Sequence, residues 1–301
     1  MTPEEFWKHL PAALVHPVEK SVRVLFVGDV IGRPGRKLVK QELPKLRHAA
    51  GIHFVILNGE NLAGGFGITE KTYTEMMDSG VDVMTMGNHW NDKPDVHKVR
   101  DRDKRLVSPH NLPEITNTAI PEFDIPNKDR SILVFNLLGQ FAMNPSYGNP
   151  FEFLQGKRAE LESRFNSGRY IIVGDVHAEA SSEKQAVMWY LNGKAAAIVG
   201  THTHTPTSDE RVTHKGTAFL SDIGMTGAYN SLIGMNTEKT LRRYYPPIKK
   251  GPHEVADDNP WLCAFLVEID TTTNLAVAAH RLQYRERCNR WQISSATRDA
   301  L

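Results

Sequence analysis

Five short apolar runs in this chain each stop at residues of a type that can hold a metal ion. Val22 to Val27 runs into Gly28-Asp29, His53 to Leu57 into Asn58-Gly59-Glu60-Asn61, and Asp82 to Met86 into Gly87-Asn88-His89. Later, Tyr170 to Val173 leads to Gly174-Asp175-Val176-His177, and Ala195 to Val199 to Gly200-Thr201-His202-Thr203-His204. Runs of this length and composition read as buried strands. Between the first three lie helix signals. Pro34 suits the first turn of a helix reaching about Ala50, which Pro44 is expected to kink or split. Thr69, with Thr72 and Glu75 downstream, opens a second helix that Gly80 closes. Strand, helix, strand, helix, strand is the rhythm of an α/β chain with a parallel sheet and helical crossovers. In such sheets, sites form outside the carboxyl ends of the strands.

The rest of the chain is read in the same way. Ser131 to Leu138 and Thr217 to Leu220 are strands, the latter ending in Ser221-Asp222. Helices are expected over 152–165, from Ser181 to near Gly193, and over 237–243. Trp261 to Asp270 and Leu275 to Tyr284 alternate like a hairpin around Thr271-Thr272-Thr273-Asn274. Residues 92–128 are polar and give no clear pattern. Pro3, Glu4 and Glu5 open a short helix at 3–10 that Pro11 stops. The expected organisation is an appended segment at 1–21, one domain at 22–285, and a polar, frayed tail at 286–301.

The residue types at the strand ends point to a metal centre. Carboxylate, amide oxygen and imidazole without thiolate suit Mn, Fe, Zn or Co, not a soft structural site. Asp29, Glu60, Asn61, Asn88, His177, His202 and His204 are too many for one tetrahedral ion. They suit two ions about 3.5–4 Å apart that share a bridging carboxylate. Two carboxylates leave two divalent ions with excess positive charge, which attracts an anionic substrate and a bridging hydroxide and lowers the pKa of bound water. Phosphate esters fit that description.

Composition sets the outer bounds. The 301 residues are 40% hydrophobic and 24% charged, enough for a sizeable core. A net charge of +1 offers no footprint for a long nucleic acid or an anionic membrane. No apolar stretch approaches a membrane span, and the N-terminus does not look like a signal peptide. Cys263 and Cys288 suggest no disulfide framework, so a cytoplasmic setting is expected. Assembly of identical copies stays open.

GDVIGRPGR, NGENLAGGFGIT, MGNHWNDK, HAEASSEK, VGTHTHTPTSDER and SDIGMTGAYNSLIGM occur in order and cover roughly residues 22–240. Together they resemble the calcineurin-like metallophosphoesterases, and more closely their bacterial YmdB-like branch. The resemblance implies a four-layer α/β/β/α sandwich. It also implies phosphodiesterase activity on cyclic nucleotides, notably 2′,3′-cyclic ones and with 3′,5′-cyclic ones as a further class. Two divalent or mixed-valence transition-metal ions (Fe, Mn or Zn) are the expected cofactors. One ion is assigned Asp29, Glu60, Asn61 and His204, and the other Glu60, Asn88, His177 and His202, with Glu60 bridging. His89 adjoins a ligand without being needed as one, which makes it the candidate general acid. Ile31 stands where the wider superfamily usually has a histidine, and Glu60 where it usually has an aspartate. Both are normal in the branch, where Asn61 fills the missing place. The first twenty residues and Arg242 to Pro260 depart from the branch itself.

Several features stay open. Asp175 either orients His177 or is a turn aspartate, and Asp222 has the same two readings. Gly64, Gly65 and Gly67 form either a lip over the site or a plain loop. Arg242, Arg243, Tyr244, Tyr245, Lys249 and Lys250 mix rings and charge that could grip a nucleotide, or form a solvated loop. The alternative functions are a phosphatase or nuclease on the same metals, and a metal-dependent nucleotide-sensing regulator with little turnover.

Overall fold

The computed structural model describes residues 14, 20–113, 119–143, 147–245, 251 and 253–298. The helix expected at 3–10 lies outside them. The first half of the chain builds β1 (Ser21–Val27), α1 (Gly32–Ala49), β2 (Phe54–Asn58), α2 (Glu70–Met77), β3 (Val83–Thr85), α3 (Asp95–Arg102) and β4 (Leu106–Val107). There follow β5 (Glu122–Asp124), β6 (Ser131–Leu138), α4 (Pro150–Gly156), α5 (Arg158–Asn166), β7 (Tyr170–His177), α6 (Ser181–Tyr190) and β8 (Ala197–Thr201). The last part holds β9 (Arg211–Val212), β10 (Ala218–Leu220), β11 (Gly227–Ala228), α7 (Thr237–Leu241), β12 (Pro260–Asp270), β13 (Leu275–Arg285) and β14 (Arg290–Thr297).

The strands form two sheets. One runs β14-β13-β12-β1-β2-β3-β4, with β11 also on β12; the other runs β5-β6-β7-β8-β10-β9. In the first sheet, β1 to β4 are parallel to one another, and β12 lies antiparallel to β1. In the second, β6, β7, β8 and β10 are parallel, between antiparallel edge strands.

Strand alternation makes the layers. Val22, Val24 and Phe26 of β1 point into one core with Ile132 and Val134 of β6. Leu25 and Val27 point the other way, into a core with Leu38, Val39 and Leu43 of α1. Leu133, Phe135 and Leu137 of β6 face a third core with Leu161 of α5 and Val187 of α6. Because successive side chains leave a strand on opposite faces, each sheet packs on its partner sheet and on a helical layer. The result is the four-layer α/β/β/α sandwich.

The structure changes some local expectations. Pro44 lies inside α1, yet the helix is continuous for 18 residues. A proline removes one intrahelical bond, here to Lys40, whose exposed position lets water serve the carbonyl. The helix expected over 152–165 is two helices that meet at Lys157, just after Gly156. The stretch expected to fray after residue 285 supplies β14, paired with β13. Trp291 is buried there and packs on its cross-strand partner Tyr284, at 5.1 Å between ring centroids. Residues 92–128, which gave no pattern, contain α3, β4 and β5. Thr69 caps α2 as expected, in a reciprocal capping box with Thr72. No helix among the described residues is long and apolar enough to cross a membrane.

Candidate metal centre

Because β1, β2 and β3 are parallel, their carboxyl ends open on one side, and β7 and β8 of the second sheet open there too. Asp29 follows β1, Glu60 and Asn61 follow β2, and Asn88 and His89 follow β3. His177 ends β7, while His202 and His204 follow β8. All eight residues singled out in the sequence come from these five ends. Asp29, Glu60, Asn61 and His177 are buried; Asn88, His89, His202 and His204 are partly exposed.

Ligand-type atoms converge in two groups that meet at Glu60. Glu60, His177 and His202 form one, and Asp29, Glu60 and His204 the other, each with its ligand-type atoms within 4.8 Å of one another. His177 Nε2 lies 2.9 Å from Asn88 Oδ1, 3.0 Å from His202 Nδ1 and 3.2 Å from Glu60 Oε1. Asp29 Oδ1 and Asn61 Oδ1 are buried without a hydrogen-bond partner among the described residues. The Asn61 amide nitrogen donates to Gly65 O at 2.9 Å, while its Oδ1 has no donor among the described residues. Buried acceptors without donors are costly, and a divalent cation satisfies them. The donor set therefore fits metal ions.

The other nitrogen of each imidazole is occupied by a partner that fixes the ring. His177 Nδ1 donates to Thr201 Oγ1 at 2.9 Å, and Thr201 Oγ1 donates onward to Asp175 Oδ1 at 2.7 Å. His202 Nε2 faces Glu179 Oε2 at 3.3 Å. His204 Nδ1 donates to Ile233 O at 2.9 Å. Each ring thus has its other nitrogen left over, and in the neutral ring that nitrogen carries the lone pair a cation would take.

Electrostatics carry the same message. Burial pushes the Asp29 carboxyl up to about 6, with Asp222 and Glu60 adding to it against His204 and His177. Burial would also raise Glu60, but His177 outweighs it and holds Glu60 well below the carboxylate range. Burial disfavours a charged His177, yet Glu60, Asp29 and Asp175 raise it above the usual histidine range. Burial, then the His177 charge, lowers His202 to about 3. The carboxylates demand positive charge, and a cation in the cluster and a proton on His177 are alternative ways to supply it.

The loop that carries His202 and His204 is strained. Both have left-handed φ, 107° and 62°. Such backbone costs roughly 1–3 kcal/mol per residue and persists only where surroundings enforce it. Here His202 N donates to Asp29 Oδ2 at 3.2 Å, and Thr203 N donates to Asp222 Oδ2 at 3.0 Å. Asp222 also accepts from buried Lys184 at 2.9 Å. Asp222 thus anchors the histidine loop. Asp175 reaches His177 through Thr201 and stitches the sheets together, accepting from Thr85 Oγ1 at 2.6 Å and Asn58 Nδ2 at 3.1 Å.

His89 sits at the rim. Its backbone N–H donates to Glu60 Oε2 at 2.9 Å, and its Nδ1 pairs with Asp92 at 2.8 Å. Phe66 of the glycine-rich loop packs edge-on against the ring, at 4.9 Å between centroids. Asp92, Glu179, Thr201 and Phe66 were not assigned site roles from sequence. Asp92 stands three residues beyond His89 and Thr201 directly before His202, so adjacency was the available signal for both.

Two stacked sheets whose strand ends meet in such a cluster define the metallophosphoesterase class of fold. Within it, the chain belongs to the YmdB-like family, whose family model (YmdB-like protein) matches residues 25–282. A Bacillus subtilis protein, 2′,3′-cyclic-nucleotide 2′-phosphodiesterase, is 40% identical over 263 residues, covering 87% of this chain and 96% of its own. A Mycoplasma pneumoniae protein described as a putative phosphatase/phosphodiesterase is 34% identical, over 88% of this chain and 94% of its own. The crystal structure of a novel phosphatase from Mycoplasma pneumoniae superposes with a TM-score of 0.78 at 32% identity, covering 88% of this chain and 94% of the other.

Proposed function

We propose that this chain is a metal-dependent phosphodiesterase that hydrolyses 2′,3′-cyclic nucleotides. The observation that carries the reading is the pair of ligand groups meeting at Glu60. Asp29, Glu60, Asn61 and His204 would hold one ion, and Glu60, Asn88, His177 and His202 the other. The donor set suits Fe, Mn or Zn. When bound, two such ions offset the charge of a phosphodiester and lower the pKa of water. The similarity to the Bacillus subtilis diesterase supports a cyclic nucleotide as substrate. Free thiols at Cys263 and Cys288 suit a reducing, cytoplasmic setting.

The chain's own residues supply orientation and a proton. Thr201, Glu179 and the Ile233 carbonyl hold the three imidazoles in one tautomer each. With Nδ1 committed to Asp92, His89 has Nε2 to carry the proton for the departing ribose oxygen. Asp92 fixes the orientation of the ring. The test is a screen with defined metals over 2′,3′-cyclic nucleotides, 3′,5′-cyclic nucleotides, linear diesters and monoesters. Turnover of the 2′,3′-cyclic substrates above the rest is expected. Hydrolysis confined to monoesters or polynucleotides would replace the reading with a phosphatase or a nuclease.

A further inference from the structure

Phe66 stands in the glycine-rich loop, where Gly64, Gly65 and Gly67 all take positive φ. Its ring touches two imidazoles. It lies 4.9 Å from His89 at an interplanar angle of 78°, and 4.9 Å from His253 at 68°. His253 comes from the stretch after α7. That stretch closes on the loop, since Val255 covers both Gly32 and Gly65. The three rings form a row from the partly buried proton donor His89 out to the exposed ring of His253.

Arg243 stands beside the outer end of the row. It donates to Gly251 O at 3.0 Å and pairs with no carboxylate among the described residues. Partial burial, then the Arg243 charge and His89, lower the pKa of His253. The outer ring thus favours its uncharged form, an aromatic face next to a guanidinium that pairs with no carboxylate among the described residues. Aromatic faces bind any base, because every base has a π-face, and a nearby arginine adds cation–π attraction.

We infer that Phe66, His253 and Arg243 form a nucleobase rim, in which the substrate's base stacks on His253 while its phosphate lies at the metal cluster. This rests on the phosphodiesterase reading and narrows it to substrates that carry an aromatic base next to the scissile phosphate. A row of rings that only packed the loop would not distinguish ligands with and without a base.

The test compares adenosine 3′-monophosphate with ribose 3-phosphate, each titrated calorimetrically into metal-loaded protein. The wild type is expected to bind the base-bearing ligand roughly 5- to 150-fold more tightly, as one stacked base provides. His253→Ala should lose most of that preference with metal content retained, and His253→Phe should keep it. Equal affinity of the wild type for both ligands overturns the rim and leaves the phosphodiesterase reading standing. So does a parallel loss of both ligands in His253→Ala, which marks a structural role. A metal-loaded wild type that binds neither ligand and turns over no cyclic nucleotide overturns both inferences.

Discussion

At the scale of single residues, the groups proposed to hold metal are distinct from the one proposed to move a proton. His89 touches Glu60 only through its backbone N–H, so its side chain is not needed to hold the cluster. His89→Asn should keep full metal content while kcat on a cyclic nucleotide falls by roughly 10²–10⁴-fold. The deficit should shrink on a phenolic ester, whose leaving group departs without a proton. Equal losses on both esters would make His89 a phosphate-positioning group. Gly87 gives a second, steric prediction. A Cβ there would lie 2.2 Å from Glu60 Oε2 and 2.4 Å from His177 Nε2. Gly87→Ala should therefore bind less metal, and elemental analysis showing wild-type content would contradict this packing. The residue types of the cluster were legible in sequence, because carboxylate, amide and imidazole stood at strand ends. The groups that orient them were not. Glu179 meets His202 only through loop geometry, and Thr201 is one of many threonines until β7 and β8 pair.

At the scale of elements, the loop after β8 is the part under most tension. Two histidines in left-handed backbone are held by Asp222, which in turn depends on Lys184 of α6. Lys184→Met leaves a buried carboxylate without its cation, a change that costs about 3–5 kcal/mol. Denaturant unfolding should show that loss, and metal affinity should fall with it as His202 and His204 loosen. Full stability in the variant would mean that Asp222 is served by other groups. Element order was readable from the alternation of apolar runs with cap and turn residues. What failed was local. Of the kink or split expected at Pro44, the split does not occur, and β14 arises in a polar stretch because β13 offers it a paired edge. A single strand's composition does not reveal the partner that makes it a strand.

At the scale of the whole molecule, burial of ionisable groups makes the fold sensitive to acid away from the metal centre. His110 is buried beside Asn136 and Phe153. Burial lowers its pKa to about 4, and Lys157 adds to the effect. Its folded pKa lies below the unfolded value of about 6.5, so the folded state binds fewer protons. The stability contributed by neutral His110 is present above pH 6.5 and is lost as pH falls toward 4. The loss amounts to about 3 kcal/mol. His110→Asn should remove that part of the pH dependence, seen as a stability difference from wild type that narrows on acidification in chelator. An unchanged difference from pH 7.5 to 4 would contradict it. The four layers themselves were not written in any one run. They follow from which face of each strand is apolar, and the sequence carried them chiefly through its family resemblance.

One carboxylate, Glu60, is proposed to belong to two metal sites formed by both sheets. The most direct test is the metal content per chain of wild type and Glu60→Gln after loading with Mn or Fe and removal of weakly held ions. Two ions are expected in the wild type, with loss from both positions in the variant. One tightly held ion in the wild type, with the same content in Glu60→Gln, would contradict it.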